Sequence, residues 1–245
     1  MSQALQVGTQ TISAEKVVTL LANYQMLPQF LREIMIDQAI APFACTSEEQ
    51  AEACQKFYQK YQITTEVERQ EWLELYEMTL EDLEVLACRE QRIEKFKRAT
   101  WQHKLKSYFL DHKSSLDQVI YSQIRVKDAG VANELYFRIQ EGEQTLAELA
   151  QKYAPEPEAK TGGLIGPIEL GQLNPALVPK FYAHLPGQLL PLTQFGEWFA
   201  IIRLEQLIPA QLNEAMQQNL LDEQFEAWIE EQLAQFVNEG LISIN

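Results

Sequence analysis

The chain has 245 residues, 46% of them hydrophobic, and a formal net charge of -15. That length allows one large domain or two small ones with buried cores, and the acidity excludes non-specific nucleic-acid binding, which needs clustered lysine and arginine. No apolar run approaches the ~18 residues needed to span a bilayer, and Met1–Gly8 lacks the basic-then-apolar order of a secretory signal.

The first hundred residues read as helices. Ser13 is placed to cap Ala14–Tyr24, whose apolar positions are Val17, Val18, Leu20 and Leu21. Pro28 fits the first turn of a second helix through Ala39. Ser47 to Gln50 has the form of a capping box and predicts a helix to about Tyr61. Thr65 opens another over Glu66–Tyr76. Thr79 starts a long helix towards Leu110, marked by Leu83, Leu86, Ile93, Phe96 and Trp101. The polar stretch His112–Ser115 then reads as a domain boundary.

Beyond it, β-branched residues, glycines and prolines become common. Val119–Val126 reads as a strand, followed by helices over Ala129–Gln140 and Thr145–Tyr153. A loop closes on Gly162-Gly163-Leu164-Ile165-Gly166. It is not a phosphate loop, which needs Gly-Lys-Ser/Thr before a helix. Gly171-Gln172 and a Pro186-Gly187 turn precede a last strand, Phe195–Leu204. Residues 210–237 read as a helix with Leu212, Met216, Leu220, Phe225, Ile229, Leu233 and Phe236 on its apolar side. Gly240 stops it, and Leu241–Ile244 reads as a short terminal strand.

That final helix must bury a broad apolar face, and packing on the N-terminal helices does so most simply. The expected fold class is therefore α+β. A helical domain is built from segments 1–114 and 207–245, and an antiparallel sheet with helices, 115–206, is inserted into it. Cys45, Cys54 and Cys88 are odd in number and scattered, which suits a reducing compartment, the cytoplasm by default, better than a disulfide framework. His103, His112 and His184 are isolated. Neither a metal nor a cofactor is expected.

The order of elements and glycines over Gln118–Glu205 resembles the parvulin family of peptidyl-prolyl isomerases. The flanking helices resemble the chaperone segments of the SurA and trigger-factor type, and Leu5–Ser13 looks like their opening hairpin. The resemblance implies a foldase acting on X-Pro bonds of unfolded, proline-containing polypeptides, with no nucleic-acid partner, no membrane span, and an export or assembly machinery as a further conceivable partner. It places Gln123 where the family carries its first-strand histidine and Ala200, beside Trp198, where it carries the second. Glu156, between Pro155 and Pro157, falls where a Cys or Asp precedes the Gly-Gly pair by six. Leu173 and Leu177 take the places of the family's pocket Met and Phe, with Phe181 and Leu185 continuing that side. With both histidines absent, two alternatives stand beside catalysis. One is a weak or inactive descendant that holds extended peptides. The other is a structural helical protein that the α/β insert only stabilises.

Overall fold

The computed structural model describes residues 4–7, 9–156 and 158–238. It divides into two compact units, Met1–Leu105 with Glu214–Asn245, and Lys106–Asn213.

The first unit opens with an antiparallel hairpin of β1 (Ala4–Val7) and β2 (Gln10–Ser13). Its Gly8 turn lies outside the described residues, as do Gly240 and the expected strand Leu241–Ile244. Six helices follow: α1 (Ala14–Asn23), α2 (Leu27–Ile40), α3 (Ser47–Lys60), α4 (Glu66–Leu75), α5 (Leu80–Ala87) and α6 (Arg89–Trp101). Side chains cap the N-termini of α1, α3, α4 and α5. Thr65 and Thr79 each form a capping box, with Glu68 and Asp82. The box on α3 sits one residue earlier than expected. Thr46 Oγ1 accepts from the Glu49 amide at 3.3 Å, while Glu49 accepts from the Thr46 amide at 2.7 Å. In this register Glu49 also meets Lys95 of α6, which a box on Ser47 and Gln50 does not provide.

The long helix expected from Thr79 is broken at Cys88 and again at a 3-10 turn, Gln102–Lys104, before α7 (Leu105–Leu116). The first break lets consecutive segments serve two cores. Leu83 packs with Phe57 and Leu73, whereas Ile93 and Phe96 pack against Ile36, Ile40, Phe225 and Ile229. Phe225 and Ile229 belong to α11 (Glu214–Asn238), so the chain's last described helix completes a core begun by α2. Full burial of side chains such as Ile40 and Ile229 stabilises by about 1.5–3 kcal/mol each. Lys97 adds a polar link, reaching Glu94 and Asp222, each at 2.7 Å. His112–Ser115, expected to be the domain boundary, lies inside α7, and the two units divide at Leu105 and Lys106.

The second unit is built on a four-stranded antiparallel sheet of order β4-β3-β6-β5. Its strands are β3 (Gln118–Val126), β4 (Leu164–Glu169), β5 (Thr193–Phe195) and β6 (Trp198–Ile208). Helices α8 (Ala129–Gln140) and α9 (Leu146–Tyr153) cover one face, where Ile124, Val126 and Ile201 meet Leu135, Leu146 and Leu149. The short α10 (Val178–Ala183) covers part of the other, where Tyr121, Ile202 and Leu204 meet Leu177, Phe181 and Leu190. Asp117, at the start of β3, ties the unit together. Its carboxylate accepts from Lys113 at 2.6 Å, the Tyr182 hydroxyl at 2.7 Å and the Ala210 amide at 2.7 Å.

Candidate functional site

Register decides which residues share a face of the sheet. Tyr121, Gln123 and Arg125 lie opposite Leu204, Ile202 and Ala200. Because side chains alternate along a strand, these six point to the α10 side, and Trp198 follows two residues before Ala200. The result is a shelf with an apolar floor and a polar border. Phe181 and Ala200 are buried in that floor, as is Leu177, while Leu173 packs on it half-buried. Leu173 and Trp198 are thus the half-buried members of the set, and Leu177, Phe181 and Ala200 the buried ones. Leu185, expected to extend this side, is 69% exposed, because α10 ends at Ala183.

Gln123 is on the shelf and nearly buried. Its backbone N–H donates to the Gly163 carbonyl at 2.9 Å. That contact explains the glycine. Gly163 has φ +82, and an added Cβ would stand 2.6 Å from the Gln123 carbonyl oxygen. Any side chain there would push the loop off β3.

The same loop separates two carboxylates. The Glu156 side chain is 69% exposed and paired with Lys160 at 2.8 Å. Its following residue, Pro157, lies outside the described residues. Glu158 opens the 3-10 turn Glu158–Thr161. Its side chain is only 12% exposed and it holds the Arg125 guanidinium, with Arg125 Nε at 3.3 Å. The carboxylate paired with Arg125 is therefore Glu158, two residues beyond the position that the family resemblance implies. Spacing along the chain does not report which way a 3-10 turn aims its side chains.

Two cations stand over the Trp198 ring at the border. Arg125 Cζ stands 5.8 Å and Lys127 Nζ 4.9 Å from its ring centroid, a distance at which the ring face attracts a cation. Lys127 is also paired with Glu197 at 3.0 Å. No histidine joins the shelf. His184 Nδ1 lies 2.7 Å from the Lys180 carbonyl and His112 Nδ1 2.9 Å from that of Tyr108, while His103 lies in the 3-10 turn Gln102–Lys104. The described residues contain no group of three or more His, Cys, Asp or Glu able to hold a metal.

Residues 125–206 match the family model of the PPIC-type PPIase domain, the rotamase family. The chain carries a peptidyl-prolyl isomerase domain of the PPIC type. Around this rotamase domain the architecture has solved counterparts. The peptidylprolyl isomerase PrsA of Bacillus cereus is 21% identical, with 98% of this chain and 92% of that one covered and a TM-score of 0.50. PrsA of Bacillus anthracis is 19% identical over 88% of this chain and 99% of that one, with a TM-score of 0.47. The parvulin domain of PpiD from E. coli is 23% identical over 40% of this chain and 95% of that one, with a TM-score of 0.34. No curated protein matches the chain. The similarity to the Bacillus cereus structure supports the shared fold. The rotamase assignment itself rests on residues 125–206.

A hollow of about 450 Å³ lies in the helical unit, lined by residues that include Glu52, Lys56, Phe57, Tyr61 and Glu90. Its lining lies outside residues 125–206, which match the rotamase model.

Proposed function

We propose that the protein is a foldase that speeds rotation about X-Pro bonds in extended polypeptide clients, using the α10-side face of the sheet. The observation that carries this reading is that the rotamase match covers most of that face, from Arg125 through Trp198 and Ala200. Amide resonance sets a barrier of ~18–20 kcal/mol to the rotation. A catalyst lowers it by holding the proline ring in apolar surroundings and stabilising the twisted amide, in which the carbonyl has lost polarity. Each ~1.4 kcal/mol of such stabilisation is worth tenfold in rate.

Leu173 and Trp198 hold the ring, with Leu177, Phe181 and Ala200 fixing the floor. Gln123 supplies a polar contact at its edge. The carboxylate role expected of Glu156 is better met by Glu158, whose charge is fixed beside Arg125. The clients are unfolded, proline-containing chains, and an export or assembly machinery that delivers them is part of the proposal. A reducing, cytoplasmic setting is supported by three free cysteines, one of them buried; cell fractionation tests it. Among the described residues no helix is long and apolar enough to cross a membrane.

A second reading, holding without catalysis, is favoured by one observation: Gln123 and Ala200 stand on a shelf without imidazole. NMR exchange spectroscopy on short peptides with one X-Pro bond, X being acidic, basic or apolar, separates the two. Catalysis gives exchange that quickens in proportion to protein. Shift changes on binding with no acceleration for any X establish holding instead.

A further inference from the structure

Tyr121 lies on the shelf two residues before Gln123. Its ring is the partner of Phe181, at 5.4 Å between centroids, and the residue is only 6% exposed. In such a place phenylalanine is the ordinary choice, because a buried hydroxyl without a partner costs about 1–3 kcal/mol. The Tyr121 hydroxyl makes no hydrogen bond to any described residue. Yet no fully buried side-chain nitrogen or oxygen among the described residues lacks a partner. The two facts together place the Tyr121 oxygen at the surface of the floor, with the apolar ring beneath it.

We propose that the Tyr121 hydroxyl is a catalytic hydrogen-bond donor to the amide of the bound X-Pro unit. This rests on the isomerase reading above and adds a residue to it. As the C–N bond twists, its nitrogen loses resonance, becomes pyramidal and gains a basic lone pair. A donor aimed there strengthens its bond only as the transition state forms, and so accelerates rotation. No covalent bond forms or breaks, and the phenolic proton stays on its oxygen. The surroundings keep it there. Burial, and then the charge of Glu158, raise the Tyr121 pKa above 10.0, with Arg125 opposing them.

The test is Tyr121→Phe in the full chain, which keeps the ring and removes the donor. The catalysed exchange rate at saturating X-Pro peptide should fall about tenfold, the effect of one neutral hydrogen bond. Peptide affinity from shift titration and the melting temperature should hold. The residual activity of the variant should also lose the alkaline limb that phenol ionisation gives the parent. Equal rates in the two proteins would overturn the donor role and leave the isomerase reading intact. A fall in rate matched by an equal loss of affinity would also overturn it, because the oxygen would then only shape the shelf. A parent that accelerates no X-Pro peptide would remove both.

Discussion

At position 117, burial and hydrogen bonding act on one carboxylate in opposite directions. Burial raises the Asp117 pKa, but the Lys113 ammonium, the Tyr182 hydroxyl and the Ala210 amide outweigh it and hold the group below 3.8. The Tyr182 phenol is pushed up to about 12, by burial and by the same bond. A carboxylate whose folded pKa is depressed contributes stability that is complete above its unfolded value and lost as pH falls through the folded one. This contribution should therefore fade below about pH 4 and be flat above it. Asp117→Ala leaves Lys113 and Tyr182 without their acceptor and should cost about 3 kcal/mol, read as a lower denaturation midpoint at pH 7. Its stability curve should also lack the parent's decline below pH 4. The two carboxylates of the glycine loop make a sharper comparison. Glu156→Ala, at an exposed site, should leave stability within about 0.5 kcal/mol and the exchange rate unchanged. Glu158→Gln should slow exchange severalfold, because Arg125 loses its counter-charge. Slower exchange in Glu156→Ala than in Glu158→Gln would return the carboxylate role to Glu156.

Among the elements, the glycine loop is the least tolerant. Gly163→Ala demands a left-handed backbone from a residue that disfavours it and drives a Cβ into the Gln123 carbonyl. It should destabilise by well over 1 kcal/mol and reduce exchange activity even where the variant folds. Such glycines were legible in the sequence because the physics that selects them is local. So were the caps at Thr65 and Thr79, and the span of α8, Ala129–Gln140, which matches the expectation to the residue. The choice between Thr46 and Ser47 was not, since either side chain can cap and only Lys95, far along the chain, separates the registers. Nor was the break at Cys88, where local propensity favours one helix and the demands of two cores override it. The site divides in the same way. Gln123, Ala200 and Trp198 were implied by the family resemblance, and the strand register puts Gln123 and Ala200 on one face. Glu158 and the Tyr121 hydroxyl depend on how a turn and a core are built around them.

On the scale of the whole molecule, the rotamase unit is a single run of chain, while the helical unit needs both ends. Residues 106–213 expressed alone should fold cooperatively, because both faces of the sheet are covered from within that segment; near-UV circular dichroism and a single melting transition check it. Removal of residues from Glu214 onwards should instead leave the segment 1–105 aggregation-prone, since Ile36, Ile40 and Phe96 lose the Phe225 and Ile229 side chains that cover them. Light scattering on the truncated protein reads this directly.

That dependence has a timetable. Lys97 and its partner Asp222 are 125 residues apart, so at roughly 5–20 residues per second a ribosome adds the second on the order of ten seconds after the first. The rotamase unit is itself made during that interval, and its last residue, Asn213, precedes Asp222 only shortly. The half-made helical core spends that interval with its apolar side bare, open to the α11 of a neighbouring nascent chain as readily as to its own. A protein proposed to help others fold is thus exposed during its own synthesis to the kind of mispairing that such helpers exist to limit.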